Sequence, residues 1–284
     1  MCPIFTRVGQ VSWLRPSHPT AAYGMRKTLL IGALTAVLFR LIVLTALPIA
    51  YAGPPFLTDD PEVVPYRHAE INFFSQGTNT ERKMAGVLPG IDANYGLFLD
   101  VQIHILAQMS YNATSEKHSL SGDLNDIPYD YGYTEFGVKY SFISETSWRP
   151  LVAVYPFIEV PTSGRDFGAG NYQEFLPVWL EKNFGPWQTF GGGGYWINPG
   201  DKNKNYWFSA WALQRKLTED LTLGGELFRQ TASTTDGRDS SGFNLGGSYS
   251  FSEKYHLLFS AGRGIENVNE TNQLSYYLAL QWEY

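Results

Sequence analysis

The sequence predicts an all-β protein: a closed antiparallel transmembrane β-barrel of about 12 strands. Three observations carry this. Large apolar side chains alternate with small or polar ones over many stretches, and period two is the side-chain period of a strand. The connections between these stretches alternate between short and long. Aromatic residues, 15% of the chain, crowd the ends of the stretches.

The chain opens with a segment that is not part of the barrel. Met25-Arg26-Lys27 begins a positively charged region, and Thr28–Leu47 is apolar apart from Arg40 and a few small residues. Ala50-Tyr51-Ala52 then offers an A-x-A cleavage site before Gly53. This is the layout of a secretory signal peptide. The competing reading is a membrane helix, since the apolar stretch is about 20 residues long. Arg40 inside it and the cleavage site close behind favour removal. Residues 1–52 are therefore expected to be an N-terminal extension plus signal peptide, with Met25 as the true start. Residues 53–65, GPPFLTDDPEVVP, are Pro-rich and acidic, which argues against a regular strand or helix. They are expected to form a periplasmic segment or a partial plug, with the barrel over 66–284.

The predicted strands lie near 66–77, 84–95, 100–112, 132–143, 150–161, 171–183, 187–198, 205–216, 220–232, 240–252, 255–264 and 273–284. In the third, Val101, Ile103, Ile105, Ala107, Met109 and Tyr111 alternate with Gln102, His104, Leu106 and Gln108. In the fourth, Thr134, Phe136, Val138, Tyr140 and Phe142 alternate with Glu135, Gly137, Lys139 and Ser141. Strands nine to eleven follow the same rule; across all these segments Leu106, Phe228 and Leu258 are the exceptions. The last is the clearest: Tyr276, Leu278, Leu280, Trp282 and Tyr284 alternate with Tyr277, Ala279, Gln281 and Glu283. After even-numbered strands the joins are short, as at Phe184–Pro186 and Glu253–Lys254. After odd-numbered ones they are generally longer and polar, above all Ala113–Tyr131. Tight periplasmic turns and longer external loops give this pattern in membrane barrels.

A soluble β-sandwich also alternates. These strands are longer than the usual five or six residues. Trp148, Trp187, Trp196, Trp207, Tyr255, Trp282 and Tyr284 sit at strand ends, where girdles at two water–lipid interfaces would place them. After residue 52 no apolar run reaches helix-spanning length, so any crossing must be by strands. Closure is then forced, because an unpaired N–H or C=O in hydrocarbon costs on the order of several kcal/mol. A barrel of this size has a lumen wider than the side-chain-filled interior of about eight strands.

By parity the lumen is expected to hold Glu70, Asn72, Gln102, His104, Gln108, Glu135, Lys139, Glu174, Lys182, Gln214, Glu226, Asn244, His256 and Gln281. Acids and bases both appear, which describes a mixed-charge hydrated channel and not a single-sign filter. Such residues also brace a barrel wall. Residues 1–52 hold five of the 21 basic residues (Arg7, Arg15, Arg26, Lys27, Arg40) and none of the 27 acids. The remainder carries 16 bases against 27 acids, which disfavours a nucleic-acid partner.

The single cysteine, Cys2, excludes an internal disulfide and a cysteine metal site, and it lacks a preceding lipobox. Gly191-Gly192-Gly193-Gly194 has no following Lys-Ser/Thr, so it is not a phosphate loop. Inside a strand it marks curvature or packing under an aromatic ring. Pro156, Pro161 and Pro177 are expected to produce bulges or kinks.

Several stretches resemble a family of bacterial outer-membrane proteins labelled as phenol-degradation meta-pathway transporters. They are GPPFLTDDPEVVPYRHAEINFF (53–74), YTEFGVKYSF (133–142), AVYPFIEVPTSG (153–164), FLPVWLEKNFGPWQTFGGGGYWINPG (175–200) and LLFSAGRGI (257–265). The resemblance implies an outer-membrane barrel that passes small, often hydrophobic, molecules. It carries no catalytic residues. The closing strand resembles the terminal strand of such barrels, in which the final aromatic residue is read by the insertion machinery. Tyr276, Leu278, Leu280, Trp282 and Tyr284 are accordingly the expected insertion signal.

A barrel enzyme would need a Ser–His–polar set on its outer face. His104 and His256 point inward by parity, His118 is in the long loop, His68 starts the first strand, and no G-x-S-x-G occurs. No enzyme activity, metal or cofactor is expected: no two histidines have ligand spacing, and Asp123, Asp126 and Asp130 read as a solvated acidic loop. The expected partners are outer-membrane lipids, the barrel-insertion machinery and a small-molecule solute. The expected function is a channel for passive uptake of small, hydrophobic or aromatic molecules. The alternative is a structural or adhesive barrel acting through its external loops, with Asp126–Tyr133 as the contact surface.

Overall fold

The computed structural model describes residues 55–114, 127–162 and 171–284. The signal-peptide reading and the readings of His118, Asp123 and Asp126 lie outside the described residues.

Thirteen strands form one sheet. They are β1 (Ala69–Asn79), β2 (Lys83–Phe98), β3 (Val101–Thr114), β4 (Tyr129–Ile143), β5 (Leu151–Val154), β6 (Phe157–Val160), β7 (Gln173–Phe184), β8 (Trp187–Ile197), β9 (Tyr206–Lys216), β10 (Leu221–Gln230), β11 (Ser240–Ser250), β12 (Tyr255–Glu266) and β13 (Leu274–Glu283). One helical turn, α1 (Val268–Thr271), sits between β12 and β13. Each strand pairs antiparallel with its sequence neighbours, except that β5 and β6 each pair with β4 and β7, and β1 pairs with β13, so the sheet closes. At the seam Ile71 lies opposite Trp282 and Phe73 opposite Leu280. Ala69 and Tyr284 exchange both backbone hydrogen bonds, at 2.8 and 2.9 Å.

Strands β5 and β6 make one stave, giving a barrel of twelve staves. The interruption falls at Tyr155-Pro156, where proline lacks the ladder N–H. The register against β4 and β7 is the same on both sides of it. Pro156 still accepts from the Val138 N–H at 3.1 Å, and Pro177 stays in register opposite Gly194. No register shift occurs at Pro156 or Pro177; the stave is interrupted at Tyr155-Pro156, and Pro161 follows the end of β6. Register shifts fall at Phe74/Gln76, Val87/Gly90, Gly96/Phe98, Ala107/Met109 and Ser141/Ile143 on β1–β4, and at Ser241/Gly242 on β11.

The connections sort by end. Leu99–Asp100, Gly185–Pro186 and the turn 251–254 are short and share one rim with Tyr284. Gly185 takes φ 62, a left-handed value that costs glycine nothing, and Pro186 fixes the next φ. The connections 198–205, 231–239 and 267–273 occupy the opposite rim, together with the tight turn 80–82, while the connection 144–150 lies at the short-turn rim.

Burial is inverted relative to a soluble protein. Polar side chains are buried, among them Gln281 at 1% and Gln214 and Glu226 at 3% exposure. Leu227, Leu245 and Leu280 are all more than half exposed, on the other parity of their strands. That exposed band is the lipid face. Exposed aromatics gather at the short-turn rim (Phe98, Trp148, Phe251, Tyr255, Tyr284) and toward the loop rim (Tyr129, Tyr172, Trp207). Trp196 is the exception to the predicted girdle. It shares parity with buried Phe190 and stacks on Phe175 at 4.8 Å and Tyr206 at 5.6 Å, on the inner wall. In the glycine run, Gly191 faces outward and lies beneath the Trp211 ring.

Candidate functional site, the divided lumen

The segment Pro55–Pro65 crosses the inside of the barrel. Its anchors come from opposite walls. Ser260 of β12 donates to the Pro55 carbonyl at 2.5 Å. Glu226 of β10 accepts from the Leu57 N–H at 2.9 Å, the Thr58 N–H at 2.8 Å and the Thr58 hydroxyl. Lys139 of β4 donates to Asp59 at 3.0 Å and lies 3.8 Å from Asp60. Gln102 of β3 accepts from the Val64 N–H at 2.8 Å. Pro55, Thr58 and Pro61 are fully buried. Prolines suit this path, because each removes one N–H that would otherwise need a lumenal acceptor.

The segment divides the lumen into two chambers. One, about 650 Å³, reaches the short-turn rim at Lys254 and Tyr284. The other, about 830 Å³, lies toward the loops and is lined by Gln108, Tyr133, Phe208, Phe228 and Asn272 among others. Phe56 borders both.

The lumenal wall has polar and apolar parts. On β1–β4 a network runs laterally. Asn72 donates to Glu70 at 3.0 Å and to Asp92 at 3.4 Å; Asn94 donates to Asp92 at 3.1 Å; Gln102 donates to Asn94 at 2.6 Å. His104 lies between Asp92 at 3.0 Å and Glu135 at 2.9 Å. Lys139 also stands 5.0 Å from the Tyr155 ring centroid. His256 sits between Ser250 at 2.9 Å and Glu283 at 3.3 Å. The apolar parts are two. Phe74, Val87, Leu258 and Ala279 cluster with Leu106 and Tyr277 on one side. Tyr155, Phe175 and Trp179 cluster with Phe157, Trp196 and Phe208 on the other. Leu106, Phe228 and Leu258, the three exceptions to the strand pattern, are therefore lumenal apolar residues.

The crossing segment is acidic, and burial acts on it. Burial pushes Glu62 up to about 9, with the Glu181 and Asp60 carboxyls adding to the rise and Lys139 opposing it. Burial likewise raises Asp60 well above the usual carboxylate range, against the pull of Lys139. At the short-turn rim Glu145 behaves oppositely. Its burial is outweighed by hydrogen bonds from Lys182 and Asn183, which lower it.

Of the predicted lumenal residues, Asn72, Gln102, His104, Gln108, Glu135, Lys139, Gln214, Glu226, Asn244, His256 and Gln281 are buried on the inner face. Glu70 is half-buried and lines the short-turn chamber. Two residues are placed differently. Glu174 is exposed and shares the outward parity of Leu176 and Val178, while Lys182 binds Glu145 at the rim. In β7 both parities carry large apolar residues, so its phase is set by Trp179 filling the space beside inward Gly192. Glu181 is the inward acid of that strand, at 1% exposure. The parity reading also passed over Asp92 and Asn94, although Ile91 and Tyr95 alternate with them and are exposed. It had no signal for Thr58 or Asp59, whose partners lie far along the chain. The resulting lumen contains both signs but is acid-rich. Among the described residues no three His, Cys, Asp or Glu converge as a metal site. Tyr276, Leu278, Leu280, Trp282 and Tyr284 are all exposed on the lipid face.

A closed sheet with a polar interior, an apolar exterior and rim aromatics defines an outer-membrane β-barrel. The chain belongs to the family described as "Putative MetA-pathway of phenol degradation", whose profile matches residues 97–282, more than half of its length. No curated protein sequence matches it. Among solved structures it is similar to the COG4313 outer membrane channel from Pseudomonas putida F1. The TM-score is 0.65 at 12% identity, over 79% of this chain and 98% of that one. The translocator domain of the autotransporter NalP from Neisseria meningitidis gives a TM-score of 0.45 at 12% identity, over 93% and 96%. Outer membrane phospholipase A from Escherichia coli gives 0.42 at 11% identity, over 82% and 93%.

Proposed function

We propose that this barrel is a channel for passive movement of small apolar or aromatic molecules across the outer membrane. The observation that carries the reading is the pair of solute-sized chambers meeting at Phe56, each bordered by apolar inner wall. Ligand chambers commonly span about 300–1,000 Å³ and combine apolar walls with a few polar groups. The family description and the naming of the Pseudomonas putida relative as a channel support the same reading. By the usual orientation of such barrels, the short-turn chamber faces the periplasm and the larger chamber the outside. The solute then passes Phe56 and the crossing segment on its way in. His104 and His256 are both engaged by carboxylates inside the barrel and brace the lumenal wall in this reading. Outer-membrane lipids contact the exposed band, and the insertion machinery reads the β13 side chains.

The test is uptake of radiolabelled naphthalene into vesicles with a lipopolysaccharide outer leaflet, alongside planar-bilayer conductance. The protein should raise the initial uptake rate above protein-free vesicles. Equal rates together with no conductance would refute the channel.

A further inference from the structure

The short-turn chamber carries more than a generic polar lining. Glu70 and Asn72 of β1 face Asp92 of β2 from adjacent inward positions, and Asn72 is directly opposite Asp92 in the ladder. The Asn72 amide nitrogen donates to both carboxylates, at 3.0 and 3.4 Å. Its carbonyl oxygen is buried without a donor, on a residue only 4% exposed. Elsewhere on the chamber wall Asp59 pairs with Lys139 and Glu135 with His104; within the patch Asp92 also contacts His104, at 3.0 Å through Oδ1, while its Oδ2 faces Asn72. Glu70 forms no ion pair among the described residues; its hydrogen-bond partner is the neutral Asn72.

We infer that Glu70, Asn72 and Asp92 form a binding site for a primary ammonium group whose apolar body lies against Leu258 and Tyr277. The chemistry is one of matching. The patch offers acceptors from three side chains, and an –NH₃⁺ group has three donors and no acceptor. Bonds from a charged donor to carboxylates are about twice as strong as neutral ones. A divalent metal fits less well, because only two carboxylates belong to the patch and no metal-type cluster exists among the described residues. A neutral alcohol offers one donor where three are wanted. Leu258 and Tyr277 line the same chamber and belong to the apolar cluster of that wall. The inference deepens the channel reading, since it takes the lumen as a solute path and names amines with an aromatic or alkyl body as a class it binds.

The experiment is calorimetric binding of 4-phenylbutylamine, charged at pH 7, against 4-phenylbutanol, using the purified full chain in detergent. The amine should bind at least about tenfold more tightly than the alcohol. Glu70→Gln and Asp92→Asn should each remove most of that preference while the heat-modifiable gel shift shows the barrel folded. Glu159→Gln, on the loop side of the crossing segment, should leave it unchanged. Equal affinities for amine and alcohol, or a preference that survives in both patch variants, would overturn the inference. So would displacement of the amine by equimolar K⁺, which would assign the patch to inorganic cations. Naphthalene uptake by the same preparation separates the two readings: uptake with no amine preference overturns this site alone, and amine preference with no uptake overturns the channel alone.

Discussion

Glu226→Ala should loosen the crossing segment, and the size of the effect follows from its bonds. The Glu226 carboxylate is 3% exposed and accepts from the Leu57 N–H, the Thr58 N–H and the Thr58 hydroxyl, with Asn244 as a further donor. A hydrogen bond to a charged group contributes about 1.5–3 kcal/mol. Losing the acceptor of the two backbone donors costs about 3–6 kcal/mol locally, at about 1.5–3 kcal/mol each. At about 1.4 kcal/mol per tenfold, opening of Pro55–Thr58 should become roughly 10²- to 10⁴-fold more frequent. The Ser260, Lys139 and Gln102 anchors remain and keep the rest of the segment in place. The assay is hydrogen exchange by mass spectrometry at Leu57 and Thr58, with bilayer conductance in parallel. Exchange should accelerate by that factor and conductance should rise. Unchanged exchange at both amides would show that Glu226 does not hold the segment, and the reasoning would fail.

Three further outcomes follow. Glu62 is held near 9 in the docked segment against an ordinary 4.5, so the docked state keeps a proton that a released segment loses. Docking should therefore weaken as pH rises from about 4.5 to 9, by at most about 1.4 kcal/mol per pH unit for one proton, and Glu62→Gln should flatten the pH dependence of the protection factors, the exchange rates divided by those of the free peptide. Lys139→Met leaves Asp59 and Asp60 without their cation. It should destabilise the segment by about 3–5 kcal/mol, read as faster exchange over residues 59–64, and adding Asp59→Asn and Asp60→Asn should restore most of the protection. Removing Tyr284 deletes a seam residue that exchanges two backbone bonds with Ala69. The heat-modifiable fraction in outer membranes should fall, while a Tyr284→Phe chain should assemble normally.

The staves were legible because each lipid-facing residue announces its neighbours. Ile103 and Ile105 fix Gln102 and His104 inside, and Leu278 and Leu280 fix Gln281. No stave end lies more than three residues from its predicted place. Legibility failed where both faces are apolar. In β7 Phe175, Leu176, Val178 and Trp179 give no period-two contrast, so Glu174 and Lys182 were assigned to the wrong face. Trp196 sits at a strand end and looks like a girdle residue, but its parity and its stack on Phe175 put it inside. The prolines were legible in part: Pro156 interrupts its stave, yet the register is kept because its carbonyl stays in the ladder. For the lumenal segment, composition offered only the choice between a periplasmic segment and a partial plug; the contacts that hold it had no signal. Proline removes periodicity from 53–65, and the bond from Thr58 to Glu226 spans 168 residues. Site chemistry that depends on such a contact has no local sequence signal.

The seam has a consequence in time. Its partners come from the two extremes of the barrel, as in the Ser75–Tyr276 contact across 201 residues. Loop closure over such a distance is slow, and folding rates fall as contacts become less local. Until β13 arrives, β1 presents an open row of amide and carbonyl groups, and the leucine-rich outer band has no lipid to cover it. Such an edge is a template for joining another chain. Closure and membrane entry must therefore proceed as one event, and a variant slowed at the Ile71–Trp282 pair should be lost to aggregation before it is lost to instability.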